Sequence, residues 1–139
     1  MGSLKPRDAV LLDTNILIDF LGGHREAQGL LASLNGAVIS IVSWIEVLAG
    51  ARSSEEEGML KAFLDAWPII PLDVDIAQRA AGIRREQRIK LPDAIVLATA
   101  QREHRKLVTR NTKDFDANDL HIIVPYQISK PSRDKESKP

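Results

Sequence analysis

Ala9-Val10-Leu11-Leu12-Asp13-Thr14-Asn15-Ile16-Leu17-Ile18-Asp19-Phe20-Leu21 is the stretch that decides how this chain is read. An apolar run stops at a polar triplet, Asp13-Thr14-Asn15, after which Ile16, Leu17, Phe20 and Leu21 recur at helical spacing until Gly22-Gly23. That predicts a buried strand, a turn bearing functional groups and a helix. In an open α/β sheet, ligands bind just outside the carboxyl ends of strands, so the Asp13 carboxylate stands where chemistry is expected. A plain helix N-cap explains it equally well.

The pattern repeats downstream. A helix fits residues 26–34, closed by Asn35-Gly36, and residues 37–41 form a second apolar strand. Ser43-Trp44-Ile45-Glu46 matches a capping box, so a helix is expected from Ser43 to about Gly50. Met59, Phe63, Leu64 and Trp67 trace an amphipathic helix ended by Pro68, and a third strand lies at residues 69–72. A long helix covers residues 75–87. Pro92 suits the start of the next, whose segment 94–100 is apolar enough to be largely buried. Residues 107–109 and 122–124 supply two more strands. Strands alternating with helices imply an α/β fold with a mostly parallel central sheet of about five strands flanked by helices.

The chain has 139 residues, 44% apolar and 27% charged, with eight glycines and seven prolines, which suits one globular domain at residues 8–128. Residues 1–7 read as a flexible leader: Met1-Gly2-Ser3 begins like a myristoylation site, but Pro6 stands where that pattern wants Ser or Thr. Residues 129–139 are charged and read as a disordered tail. Cysteine is absent, so disulfides and thiolate zinc sites are excluded, and with no membrane-length apolar run or signal peptide the expected location is the cytoplasm.

Net charge is zero but unevenly spread. Residues 1–78 carry 11 acids and 5 bases, residues 79–113 carry 3 acids and 10 bases, and residues 114–139 carry 5 acids and 4 bases. The basic middle block is either a set of solvated helix faces or a phosphate-contacting surface.

Four acids, Asp13, Glu46, Asp93 and Asp114, fall at predicted helix beginnings, three of them after predicted strands. Singly, each is explained by capping or by the helix dipole. Together, carboxylates that converge raise one another's pKa unless a cation neutralises them. Hard oxygen donors of this kind, with hydroxyls from Thr14 or Thr109 and amides from Asn15 or Asn111, suit magnesium or manganese. His24, His104 and His121 lack ligand spacing. There is no nucleophile elbow and no glycine-rich phosphate loop, which leaves metal-activated water.

Four motifs stand in order: Leu11-Leu12-Asp13-Thr14-Asn15; Ser43-Trp44-Ile45-Glu46-Val47-Leu48-Ala49-Gly50; Leu91-Pro92-Asp93-Ala94-Ile95-Val96-Leu97-Ala98-Thr99-Ala100; and Thr109-Arg110-Asn111-Thr112-Lys113-Asp114-Phe115. Over nearly all of residues 8–126 the chain resembles PIN domains, in particular VapC-type toxins of type II toxin–antitoxin systems. The resemblance implies a magnesium-dependent endoribonuclease, with manganese as a substitute, and a small VapB-like antitoxin that occupies or distorts the acidic pocket. By motif position it carries over Asp13, Glu46 and Asp93. Some members place the fourth acid where this chain has Asn111, others about three residues on, here Asp114, with Asp116 and Asp119 nearby. The implied arrangement has Asp13 and Asp93 on the metal and Glu46 and Asp114 completing its surroundings, while Thr14, Asn15, Thr109 and Asn111 orient carboxylates.

An acidic pocket repels RNA, so basic residues should flank it. Arg84, Arg85, Arg88, Arg102, Arg110 and Lys113 are the candidates for contacts to the RNA backbone. The apolar faces of the helices at residues 27–34 and 59–67 are candidate surfaces for a homodimer or for an antitoxin's amphipathic helix. A haloacid-dehalogenase-like phosphatase needs an acid two residues after the first Asp, where Asn15 stands, and a receiver domain needs paired acids near the first strand, which are missing. The remaining alternative is a catalytically silent PIN-like scaffold that binds RNA or protein.

Overall fold

The structure is a computed structural model that describes residues 9–128; the expected leader and tail lie outside the described residues. The element order is β1 (Val10–Leu12), α1 (Thr14–Leu21), α2 (Arg25–Ser33), β2 (Val38–Ser40), α3 (Ile41–Ala49), α4 (Ser54–Leu64), β3 (Ile69–Ile70), α5 (Val74–Gln87), α6 (Leu91–Arg102), β4 (Lys106–Val108) and β5 (Ile122–Ile123). The strands form one sheet in the order β3-β2-β1-β4-β5, and every neighbouring pair is parallel. No helix among the described residues is long and apolar enough to cross a membrane.

Strand alternation divides the apolar side chains between two cores, because successive residues point to opposite faces of a sheet. Leu11, Val38, Leu107 and Ile122 face one core with Ile76, Ala80 and Ile83 of α5 and Ala94, Leu97 and Ala98 of α6. Their neighbours Leu12, Ile39, Val108 and Ile123 face the other, with Ile16, Leu17, Val47 and Leu64. Both faces of the central strand are covered, and Val10, Leu11 and Leu12 are fully buried. An uninterrupted apolar run is what such a strand requires.

The strand order also locates the site. From β1 the chain moves outward through β2 and β3, then returns to the other side of β1 with β4 and β5, so the direction of winding reverses between β1 and β4. A crevice opens at such a reversal, beyond the carboxyl ends of the strands. The register pairs Leu12 with Val108, and one step further along lie Asp13 and Thr109.

Three expected features shift. The capping box at Ser43 is not formed: Ser40 caps α3 by accepting from Val42 N–H, the helix starts at Ile41, and Ser43 is a buried residue inside it. Helix α4 begins earlier, at Ser54, capped by the Ser53 hydroxyl accepting from Glu56 N–H, and it ends at Leu64, which leaves Trp67 in the turn beyond. Within that helix Met59 is 69% exposed and Leu64 is part of the second core, against which Phe63 and, from the following turn, Trp67 pack.

Candidate active site

Asp13 is both a cap and a site residue. As N-cap of α1 its Oδ1 accepts from Thr14 N–H at 2.8 Å. Its Oδ2 accepts from the Thr109 hydroxyl at 2.8 Å and from Asn15 Nδ2 at 3.3 Å. Being only 4% exposed, it is raised above the ordinary aspartate range, chiefly by burial; the Thr109 and Thr14 hydrogen bonds oppose the rise and the Glu46 charge adds to it.

Glu46 lies in the second turn of α3, on an exposed position, and is held by Thr14, whose hydroxyl is 2.6 Å from Glu46 Oε1 and 2.8 Å from Ser43 Oγ. A hydroxyl has one proton. The shorter, charge-assisted contact to the carboxylate takes it, and Ser43 is left to donate to Thr14. Ser43 thus supports the site from inside the helix, a role its apparent capping position concealed.

Asp93 stands in the first turn of α6 behind Pro92, and Asp114 follows β4 in a turn fixed by Asn111. Asn111 Oδ1 accepts from Asp114 N–H at 3.1 Å, Asn111 Nδ2 donates to Asp114 Oδ2 at 3.0 Å, and Asn111 N–H donates to Thr109 Oγ1 at 2.9 Å. Only Asp13 and Asp93 therefore sit at helix beginnings; Glu46 is mid-helix and Asp114 is in a turn, so the helix dipole favours two of the four acids.

All four nevertheless line one cavity of about 450 Å³, together with Thr14, Asn15, Asn111, Lys90 and Lys113. Asp116 and Asp119 are turned to their own loop, where they accept from Asn118 N–H and His121 N–H. The acids feel one another. Asp93 is pushed up to about 6, first by burial and then by the charges of Asp13, Asp114 and Glu46. Among the described residues no three His, Cys, Asp or Glu side chains form a ready-made metal group, so the carboxylates line the cavity without closing into a cage. The donor set fits a hard divalent cation: oxygen ligands only, with mutual repulsion that such an ion would relieve. His24, His104 and His121 are all exposed.

The basic candidates divide. Arg84 donates to the Ile89 carbonyl at 2.8 Å, beside the end of α5. Arg102 is held by Asp73 at 2.7 Å and Glu103 at 3.1 Å. Arg110 forms a two-pronged pair with Asp19, Nε to Oδ2 at 2.6 Å and Nη2 to Oδ1 at 2.9 Å. These three carry structural contacts. Arg85, Arg88 and Lys113 are exposed, and Lys113 reaches the acidic cavity. Sequence reading missed Lys90, the N-cap residue of α6, which lines the same cavity. It also missed Asp19, because a lone acid on an amphipathic helix gives no sign of its partner.

A parallel five-stranded sheet with an acidic cavity at its switch point defines the class. Residues 10–120 match the PIN domain family model, and the chain belongs to that family. It is similar to Ribonuclease VapC10 of Mycobacterium tuberculosis, 31% identical over 114 residues, which cover 76% of this chain and 85% of that protein. It is also similar to Ribonuclease VapC1 of Methanocaldococcus jannaschii, 28% identical over 117 residues, covering 81% and 82%. A solved toxin-antitoxin complex from Klebsiella pneumoniae contains a chain that superposes with a TM-score of 0.79 at 44% identity, covering 86% of this chain and 99% of that one. FitAcB from Neisseria gonorrhoeae superposes at 0.70 with 25% identity, covering 86% and 99%.

Proposed function

We propose that this chain is a metal-dependent endoribonuclease acting as the toxin of a VapBC-type toxin–antitoxin pair. The observation that carries the reading is the convergence of Asp13, Glu46, Asp93 and Asp114, from four separate segments, on one cavity in which Asp93 is pushed up to about 6. The two ribonuclease relatives and the toxin-antitoxin neighbour support it.

In this reading Asp13 and Asp93 would hold magnesium, or manganese in its place, with Glu46 and Asp114 completing its surroundings. A cation bound there would supply charge neutralisation and a water of lowered pKa. The chain's own groups prepare the site: Thr109 and Asn15 hold Oδ2 of Asp13 while Thr14 N–H holds Oδ1, the Thr14 hydroxyl orients Glu46, and Asn111 orients Asp114. Lys90 and Lys113 stand at the cavity with the acids and draw in the phosphodiester backbone that the carboxylates repel, and the exposed Arg85 and Arg88 are further candidates for that contact.

The antitoxin reading attaches to a neighbouring groove of about 240 Å³, lined by Ile18, Leu21, Val47 and Leu60 with Glu46 and Glu56. Ile18 and Glu46 line both the groove and the acidic cavity. A VapB-like amphipathic helix seated there would bury Ile18, 52% exposed, and Leu21, and would place a basic side chain within reach of the acids.

The test is to purify the chain free of any co-expressed partner and incubate it with structured and unstructured RNA, with magnesium, manganese or chelator, beside folded Asp93→Asn. Cleavage that needs the metal and is lost by at least a hundredfold in Asp93→Asn is expected, roughly the scale of removing one essential electrostatic group. A folded wild type that neither cuts RNA nor binds metal would replace this reading with the silent scaffold, and equal cleavage by the variant would overturn the role given to Asp93.

A further inference from the structure

We infer that Arg110 is a positioning residue, which clamps the loop bearing Asn111 and Asp114 onto α1 through Asp19 and Tyr126. The inference rests on the nuclease reading for its catalytic consequence, but the clamp itself is a matter of geometry. Asn15 and Asp19 are four residues apart on α1 and so lie on the same side of the helix, one turn above the other. Both hold residue 110. Asn15 Oδ1 accepts from the Arg110 backbone N–H at 3.1 Å, and the Asp19 carboxylate takes the Nε–Nη2 edge of the guanidinium. Tyr126, from the segment after β5, donates its hydroxyl to Asp19 Oδ2 at 3.0 Å.

Asp19 is 4% exposed, so its charge is withdrawn from water and stands only because the Arg110 fork and Tyr126 satisfy it. An apolar pair would pack such a spot as well, but it would leave the loop free to slide or rotate. A planar fork fixes direction as well as distance. The residue it fixes is one peptide from Asn111, which sets Asp114, and follows Thr109, which sets Asp13. One helix face thereby sets where two of the four acids stand relative to each other. The same edge of Arg110 is then unavailable to RNA.

Arg110→Lys keeps the charge and loses the fork; Tyr126→Phe removes a single hydroxyl and serves if the first variant fails to fold. Amide hydrogen exchange, read without metal or RNA, is expected to speed up about tenfold or more at residues 111–115 in Arg110→Lys, and less in Tyr126→Phe, while Leu11 and Leu107 keep their protection. With RNA and magnesium, kcat should fall about tenfold or more while KM and its salt dependence stay put. Unchanged exchange at residues 111–115 in both variants overturns the clamp. So does a raised KM with weaker salt dependence and intact kcat, which would make Arg110 an RNA contact. A wild-type chain that cuts no RNA defeats the nuclease reading instead, and the exchange data still decide the clamp.

Discussion

Asp93 stands where a carboxylate is poorly tolerated without a cation. Its native pKa, about 6, lies above the ordinary value of 3.8, so between those values the native state binds a proton that the unfolded chain has released. This group therefore costs stability at pH 7.5, and the cost fades as pH falls toward 4. A full rise of that size corresponds to roughly 3 kcal/mol, but the side chain is partly solvated and screening reduces the expected cost to about 1 kcal/mol. In chelator, Asp93→Asn should raise the melting temperature at pH 7.5 by a few degrees, with the gain vanishing near pH 4. Added magnesium should stabilise the wild type and leave the variant unmoved. A variant that melts lower at pH 7.5 in chelator would show that repulsion is not what Asp93 experiences. The four acids stood out as candidates in the sequence because they fall at predicted helix beginnings within four ordered motifs. Ser43, Lys90 and Asp19 did not, because what gives each its role is a partner 29 or more residues away, or a shared cavity wall.

At the scale of elements, α5 ends in a conformation its sequence does not favour. Arg88, the C-cap, adopts φ 59°, and its N–H donates to the Arg84 carbonyl. Glycine is the usual occupant of a left-handed cap, since a Cβ crowds the backbone there. Arg88→Gly should stabilise the fold by about 0.5–1 kcal/mol, a rise of roughly 2–3 °C in melting temperature, and at the same time weaken RNA binding if Arg88 belongs to the basic surface. Calorimetry and RNA titration of that one variant read the two effects separately. A gain in stability with unchanged RNA affinity would remove Arg88 from the surface. Element type and order were legible from periodicity, but boundaries were not. The run around Ser40 to Glu46 offers two serines, and the choice of Ser40 as cap follows from burying Ser43 against Thr14.

For the molecule as a whole, the uneven charge is partly internal bookkeeping. Of the basic block, Arg102 and Arg110 neutralise Asp73, Glu103 and Asp19, whereas Arg85, Arg88, Lys90 and Lys113 remain exposed, the two lysines at the acidic cavity. Four phosphate contacts on single-stranded RNA imply a slope of about −3 in log affinity against log salt, so a fourfold rise in salt should weaken binding roughly fiftyfold. A slope near zero would mean that these residues do not hold the RNA backbone.

By itself the sequence determined the class of fold, because apolar period and polar interruption are local properties that burial demands of any strand or helix in this architecture, and through its motif positions it marked out four acids as candidates. Tertiary structure alone decided which cations are held in ion pairs among the described residues. It also placed Asp114 in the cavity while Asp116 and Asp119 bond their own loop, and it drew Asp19, Arg110 and Tyr126 into one clamp. These outcomes depend on which distant side chain arrives within about 3 Å, the range over which a hydrogen bond forms, and no local pattern encodes that arrival.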